Sequence, residues 1–170
     1  GSICSAGVDP EIVLTNYGGN TVTSIDLEYQ IDAGPVSTFN WTGNLTQGQS
    51  VTVSLPNQTP AAGAHVLTAT ALNPNGTADQ NASNNSETSN FTIVANGQIA
   101  ALTILTDCYG SETSWQIDED GTGVTVALGG PYEDVTGGVT NVEDVCLAPG
   151  CYIFTINDTY GDGLYGSQWT

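Results

Sequence analysis

The chain has 170 residues, enough for one large or two small domains, with 18 acidic side chains and neither lysine nor arginine, for a formal charge of −18. So uniformly negative a surface repels phosphate backbones and anionic headgroups, and no apolar run approaches the roughly 18 residues of a membrane span. We therefore expect no nucleic-acid binding and no direct membrane insertion, and we expect divalent cations as partners of the carboxylates.

The composition favours an extracellular or cell-surface protein. Four cysteines, no methionine and many Thr, Ser, Asn and Gly residues are typical of exported proteins with disulfides. A chain without lysine or arginine also offers trypsin-like proteases no site. The single histidine and the lack of a C-x-x-C pair argue against a structural zinc site. No signal peptide begins the sequence, so we expect a mature, processed or excised piece.

The first block, residues 1–95, has the pattern of an immunoglobulin-type β-sandwich. In TVTSIDLEYQI, apolar Ile25, Leu27 and Tyr29 alternate with polar residues, which is the period of a strand with one buried face. Six or seven such short strands lie between residues 11 and 94, separated by turn sequences such as YGGN, AGP and NPNG. Because no helical period occurs, we predict an all-β fold that begins with an antiparallel sandwich.

The second block, residues 96–170, is a shorter series of strands separated by glycine-rich, acidic turns. We predict strands at residues 99–106, 114–118, 123–128 and 151–157, the last reading CYIFTIN. A Gly-Gln pair near Asn96 interrupts two apolar runs and marks the boundary between the blocks. The final segment, LYGSQWT, has no partner strand after it, so we expect a second sandwich that is small and jelly-roll-like or incomplete.

Two acidic loops of the second block predict a calcium site. Calcium takes roughly six to eight oxygen ligands from flexible, glycine-containing loops, and DCYGSE and DTYGDG have that composition. If both loops lie at one end of the sandwich, four carboxylates converge there, namely Asp107, Glu112, Asp158 and Asp162. The alternative is that Asp and Gly only form turns in these loops.

A weaker metal candidate is the loop DQNASNN in the first block. Its oxygen-bearing side chains are Asp79, Asn81, Asn84 and Asn85. Their spacing does not match an EF-hand, and such residues also organise loops without metal, which is the interpretation favoured here. The sequence DEDGTG at 118–123 is similarly ambiguous and favours a hairpin turn.

Eight N-x-S/T sequons make the chain a candidate glycoprotein. They begin at Asn40, Asn44, Asn57, Asn75, Asn81, Asn84, Asn90 and Asn157. The alternative is that asparagine and threonine merely cluster in polar turns and strand faces.

Four cysteines allow three disulfide pairings. The sequence CLAPGC places a Pro-Gly turn between Cys146 and Cys151, which favours a local disulfide. Cys4 and Cys108 then remain to pair, either within one chain or between neighbours.

No arrangement of residues indicates an enzyme. His65 lies in the strand-like run AHVLTA with no nucleophile elbow near any serine, and nothing marks a carboxylate-lined glycosidase cleft. Aromatic side chains can stack on sugars, although most of those present are expected to be packing residues. The candidates are Trp41, Tyr109, Trp115, Tyr132, Tyr160, Tyr165 and Trp169.

Both blocks carry family resemblances. The stretches LTNYGGNTVTSIDLEYQID, FNWTGNLTQGQSVTVSLP, GAHVLTATALNPNGTADQNASNN and SNFTIV, in that order, resemble CARDB, the cell-adhesion-related domain of bacterial surface proteins. That resemblance implies an immunoglobulin-like spacer or adhesion module. The stretches TDCYGSETSWQI, GGPY, VCLAPGCYIFTINDTYGDGL and YGSQW resemble an accessory β module of type IX-secreted surface proteins and metalloproteases. In that family the chain continues with another cysteine and strand, so the resemblance implies a fragment or a subunit completed from elsewhere.

We therefore expect a non-enzymatic, extracellular structural or adhesion module, calcium-stabilised and open to glycosylation, that repeats in a cell-surface filament or adhesin. Its partners would be copies of itself, joined head to tail when the N-terminal GSICSAGVDP adds as a strand to the second sandwich of the next subunit, near Cys108 and residues 165–170. The alternative is an accessory region of a larger secreted enzyme, such as a metalloprotease, that binds carbohydrate or positions a catalytic domain.

Overall fold

The fold is all-β, as the sequence predicts, with several open sheets. The computed structural model describes residues 1–4, 7–161 and 163, and the backbone of 168–169. The chain divides into two compact units, Gly1–Ile93 (unit 1) and Val94–Thr170 (unit 2). In the described part of the chain, no helix has the length and apolar character needed to cross a bilayer.

Unit 1 contains two sheets. Its strands are β1 (Ser2–Ile3), β2 (Glu11–Thr15), β3 (Val22–Ile31), β4 (Ser37–Leu45), β5 (Ser50–Ser54), β6 (Gly63–Leu72) and β7 (Ser86–Ile93). One sheet has the order β1-β7-β6-β3-β4, and the other pairs β2 with β5. Short 3-10 turns at Pro74–Gly76 and Ala82–Asn84 lie between β6 and β7.

The core of unit 1 follows from the period-two pattern of its strands. In β3, Leu27 and Tyr29 are buried while Glu28 between them is exposed. Leu14 of β2 and Val53 of β5 belong to the same buried cluster, so the small sheet covers the inner face of the large one. Burying such side chains stabilises the fold by roughly 1.5–3 kcal/mol each.

The first strand of unit 1 lies on the unit's own sheet. Strand β1 pairs with β7, with Ser2 opposite Thr92 and Ile3 opposite Ile93. This pairing is parallel, whereas the other strand pairs described are antiparallel. The expected contact of the N-terminal segment with a neighbouring subunit stays a prediction.

Unit 2 contains two three-stranded sheets. Its strands are β8 (Gln98–Thr106), β9 (Thr113–Glu119), β10 (Thr125–Gly129), β11 (Val139–Leu147), β12 (Tyr152–Asp158) and β13 (Gln168–Trp169), with a 3-10 turn at Gly110–Glu112. The sheet orders are β10-β9-β12 and β11-β8-β13. Ile104, Trp115, Ile117 and Val145 form the buried core, with contributions from both sheets.

Two strands of unit 2 differ from the sequence prediction. Strand β11 was not predicted, yet it pairs with β8 along its whole length. The last segment, for which no partner was expected, contributes β13, which pairs with Leu105 and Ile104 of β8. Because β13 is the outer strand of its sheet among the described strands, it presents an edge in that part of the chain.

The cysteine pairing differs from the expectation. The structure has one disulfide, Cys4–Cys146, and leaves Cys108 and Cys151 as exposed free thiols. The expected Cys146–Cys151 and Cys4–Cys108 pairs are therefore wrong. Cys146 lies in β11, whereas Cys151 directly precedes β12 of the other sheet. Packed sheets lie about 10 Å apart, and the β-carbons of a disulfide only about 4 Å.

Candidate functional site

Three loops of unit 2 meet at one end of its sandwich, and we call the loops 107–112, 130–134 and 158–161 the acidic end. The Thr159 amide donates to the Glu112 carbonyl at 2.9 Å, and the Tyr132 amide donates to the Gly110 carbonyl at 3.0 Å. A β-carbon at Gly110 would collide with the carbonyl oxygen of Glu133, so glycine is required for this close approach. The structure thus brings the DCYGSE and NDTYG loops together.

The carboxylates of the acidic end accept hydrogen bonds from loop backbone. Asp107 Oδ1 accepts the Tyr109 amide at 2.8 Å. Asp158 is a hub: its Oδ1 accepts two amides, from Tyr160 and Gly161, each at 3.1 Å, and its Oδ2 accepts the Gly163 amide at 2.6 Å. The Gly161 and Gly163 amides hold the pKa of Asp158 below its usual value.

Sequence reasoning missed one member of the acidic end, Asp134. Its Oδ1 accepts the Ser111 amide at 2.9 Å, and this bond lowers the pKa of Asp134. The signal was available, because Asp134 is acidic and lies two residues after the GGPY motif. The Ser111 side chain also hydrogen-bonds to Asp134, so of the carboxylates of Asp107 and Asp134 it is Asp107 that keeps an oxygen, Oδ2, without a described hydrogen bond. Such an oxygen suits a hard cation such as calcium.

The calcium site at the acidic end stays a prediction. Among the described residues, no group of three or more acidic, histidine or cysteine side chains is arranged to hold a metal ion. Asp162, one of the four predicted ligands, lies outside the described residues. The backbone bonds to Asp158 also fit the alternative in which this residue only closes a turn.

Unit 1 has a cleft of about 640 Å³ that opens beside β2. Its floor is apolar and includes Leu14, Leu27 and Leu45, which are 6%, 1% and 4% exposed. Its rim is polar and consists of the loop 16–20 and the segment 74–87. The cleft combines residues that are distant in sequence, so no local pattern predicted it.

Two asparagines fix the loops that border this cleft. Buried Asn16 donates from Nδ2 to the carbonyls of Leu45 at 2.8 Å and Asn20 at 2.9 Å, and its Oδ1 accepts the Gly18 amide. Asn75 accepts from the amide and the hydroxyl of Thr23 and donates to a carbonyl in the same segment. The rim loops are therefore held before any ligand arrives.

The predicted DQNASNN loop forms part of this rim. The Asn81 amide donates to Asp79 Oδ1 at 3.0 Å, and the Ser83 hydroxyl donates to Asn81 Oδ1 at 2.7 Å. Asn84 and Asn85 also line the cleft, and their side chains make no hydrogen bond in the described part of the chain. The bonds of Asp79 and Asn81 fit the interpretation in which these residues organise the loop themselves.

His65 lies in β6, and each of its two ring nitrogens makes a hydrogen bond; we call this arrangement the His65 clasp. Its Nδ1 is 2.8 Å from Asp32 Oδ2, and its Nε2 is 2.7 Å from the Ala61 carbonyl oxygen. Because a carboxylate and a carbonyl both accept, both hydrogen bonds are made when each ring nitrogen carries a proton, which is the imidazolium form. The bonds to Asp32 and Ala61 raise the pKa of His65, and the bond to His65 lowers the pKa of Asp32.

All eight sequon asparagines are exposed, but three of them already donate their amide nitrogens. Asn40 donates to Asp26 at 2.6 Å, Asn57 donates to Asp9 at 2.8 Å, and Asn75 is held as described above. A glycan is attached at this amide nitrogen, so these three sites are the less accessible ones. Glycosylation itself stays a prediction.

Of the five aromatic candidates whose side chains are described, three pack, namely Trp41, Trp115 and Tyr132. Trp115 is 3% exposed and donates to the Tyr132 hydroxyl at 2.7 Å, and Trp41 packs against the core of unit 1. Tyr109 and Tyr160 are exposed. Tyr165 lies outside the described residues, as does the side chain of Trp169. The exposed Tyr17 at the cleft was missed.

Comparison of the chain with known proteins finds no matching family model, curated protein or solved structure.

Proposed function

We propose that the chain is a non-enzymatic, extracellular structural or adhesion module that repeats as a subunit of a cell-surface filament or adhesin. The observation that carries this proposal is the succession of two sandwich units whose sheets are all open. Each open edge presents unpaired backbone amides and carbonyls, which is the surface to which a further strand adds.

The N-terminal strand is the segment that we propose to exchange between subunits. Strand β1 has only two residues, and the Gly1 carbonyl accepts the Thr92 amide at 2.9 Å. So short a pairing costs little to break. Cys4 follows it directly and is bonded to Cys146, so exchange onto a neighbour's sheet requires this disulfide to be reduced first or to form between subunits instead. A head-to-tail contact of this kind does not close on itself and builds a filament.

Calcium is the proposed cofactor of this assembly. Two copies of a chain with charge −18 repel each other, and a dication between carboxylates lowers that repulsion. The Oδ2 of Asp107 at the acidic end, which makes no described hydrogen bond, supports this assignment. The family resemblances to CARDB and to the type IX accessory module point to the same class of surface protein.

The test is assembly of the purified full chain, followed by light scattering and electron microscopy with calcium or with a chelator. We expect filaments in calcium and none after deletion of residues 1–10. Because the deletion also removes Cys4 and its disulfide, Cys4→Ser is the matched control, and it should still assemble. A chain that stays monomeric in calcium contradicts the filament, and assembly of the deletion variant contradicts strand exchange.

A further inference from the structure

The cleft of unit 1 has the dimensions and the composition of a ligand site. Its volume, about 640 Å³, lies within the roughly 300–1,000 Å³ of small-molecule pockets. The leucines of the floor are nearly buried, so much of the surface that a ligand can reach belongs to the polar rim, whose groups would hold and orient it. The loops of the rim are fixed by Asn16 and Asn75, so little ordering is required on binding.

Four amide side chains on the rim make no hydrogen bond within the described part of the chain. These are Asn20, Gln80, Asn84 and Asn85. Each amide offers two donors and an acceptor oxygen with two lone pairs. So many unpaired amides around one opening match a ligand that has several hydroxyl groups.

Tyr17 adds an aromatic surface to the same rim. Its side chain is 72% exposed, although it stands on a loop that Asn16 holds rigid through the Gly18 amide. An exposed ring on a fixed loop offers an apolar face and a hydroxyl at its tip. The C–H face of a sugar ring packs on such a surface while its hydroxyls reach the amides.

The charge of the cleft selects against anions. The chain has no lysine or arginine, and the charged groups that line the cleft are the carboxylates of Asp79 and Glu87. Each of these carboxylates accepts one backbone amide, at 3.0 Å and 3.3 Å respectively, and keeps its second oxygen as an acceptor for a ligand hydroxyl. An anionic ligand would be repelled by these two carboxylates, and no cationic side chain lines the described cleft to offset that repulsion.

We propose that the cleft of unit 1 binds a short neutral saccharide. This inference rests on the adhesion role proposed above and supplies its ligand. The competing occupant is an extended peptide, because among the described strands β2 pairs with β5 alone and its other edge has no partner there. The unpaired amides and Tyr17 favour the saccharide, since a peptide strand would pair with the backbone of β2 and leave them unused.

The test uses the full chain, produced in a host that adds no N-glycans, on an array of defined neutral oligosaccharides with sialylated and sulfated ones beside them. Binding of a neutral oligosaccharide is expected, and calorimetry on that compound then measures the variants. Tyr17→Ala should weaken binding about tenfold or more, and Gln80→Ala with Asn85→Ala should do the same. Neither Gln80 nor Asn85 is a sequon asparagine.

Tyr160→Ala is the matched control, because Tyr160 is an equally exposed tyrosine (75%) on unit 2. It should leave the affinity unchanged, and all variants should keep the melting temperature of the parent chain. The proposal is overturned if no neutral glycan binds, if only anionic glycans bind, or if Tyr17→Ala binds normally. Protection of β2 amides from hydrogen exchange by an N-terminal peptide of the chain, without glycan binding, would assign the cleft to a strand instead. Filament assembly is scored separately, so failure here leaves the assembly result standing.

Discussion

The cleft of unit 1 and the acidic end of unit 2 both hold several loops in place, but they do so with different side chains. Both gather loops that are distant in sequence, and both satisfy loop amides with side-chain oxygens. In the cleft, the side chains that fix the loops are the neutral amides of Asn16 and Asn75. At the acidic end they are the carboxylates of Asp107, Asp134 and Asp158. The amide side chains of Asn16 and Asn75 do not titrate and carry no charge to attract a cation. The cleft rim has one carboxylate that accepts an amide within the same loop, Asp79, against three at the acidic end, so the acidic end is expected to respond more strongly to pH and to cations.

Removal of calcium should give the largest effect and should be confined to the acidic end. A ligand bound only to the folded state, at 100 times its dissociation constant, stabilises that state by about 2.7 kcal/mol. Calorimetry before and after EDTA treatment should show a lower melting temperature, and hydrogen exchange should rise in loops 107–112 and 158–161 but not at the cleft. If the melting curve is the same before and after chelation, the calcium assignment is contradicted.

The substitution Asn16→Ala should give the next largest effect. It leaves the buried carbonyl of Leu45 without its donor and the Gly18 amide without its acceptor, and such losses cost about 2 kcal/mol. Urea unfolding should show this loss equally with calcium and with chelator. Asn20→Ala is the control, since that side chain makes no hydrogen bond in the described residues and should change stability little. Equal effects of both substitutions would contradict the proposed role of Asn16.

The substitution Asp158→Ala should destabilise unit 2 in a pH-dependent manner. The folded pKa of Asp158 is lowered, so its contribution is present above the unfolded pKa of about 3.8 and is lost as the pH falls through the folded value. The difference in melting temperature between the parent chain and the variant should be constant near pH 6 and should shrink below about pH 4. A difference independent of pH would indicate lost packing rather than lost charge.

The pair of hydrogen bonds made by His65 should have the smallest effect on stability. It is an exception to the comparison, because it is a charged interaction in unit 1. The folded pKa of His65 is raised, so its contribution is present below the ordinary value of 6.5 and is lost as the pH rises through the folded value. An NMR titration should place the midpoint above 6.5, and Asp32→Asn should lower it. A midpoint that does not move in Asp32→Asn would refute the clasp.

The regular strands of unit 1 could be predicted because burial and sequence period agree there. Leu27 and Tyr29 lie at alternate positions of β3, and both are buried. Strand β11 was missed because its inner face includes polar Asn141 and Glu143 beside buried Val145, while Val142 points outward and is 66% exposed. That arrangement inverts the expected alternation.

The sites were less predictable than the strands because they depend on contacts between distant segments. The pairing of Cys146 depends on which sheet each neighbouring strand joins, and this is not encoded in the short spacing to Cys151. Asp134 reaches Ser111 across 23 positions of sequence. The cleft combines the loop 16–20 with the segment 74–87, and each has an ordinary turn composition by itself.

The bonds that hold Asn75 also bear on how the protein ages. Asn75 and Asn96 each precede a glycine, the sequence context in which asparagine most readily loses its amide when the next backbone nitrogen attacks the side-chain carbonyl. That attack requires the side chain to rotate. Both polar atoms of the Asn75 side chain are engaged, whereas the Asn96 side chain makes no hydrogen bond in the described residues. Peptide mass mapping of stored material should therefore find that Asn96 is converted to aspartate well before Asn75. The segment where unit 1 ends and unit 2 begins is then expected to be modified first.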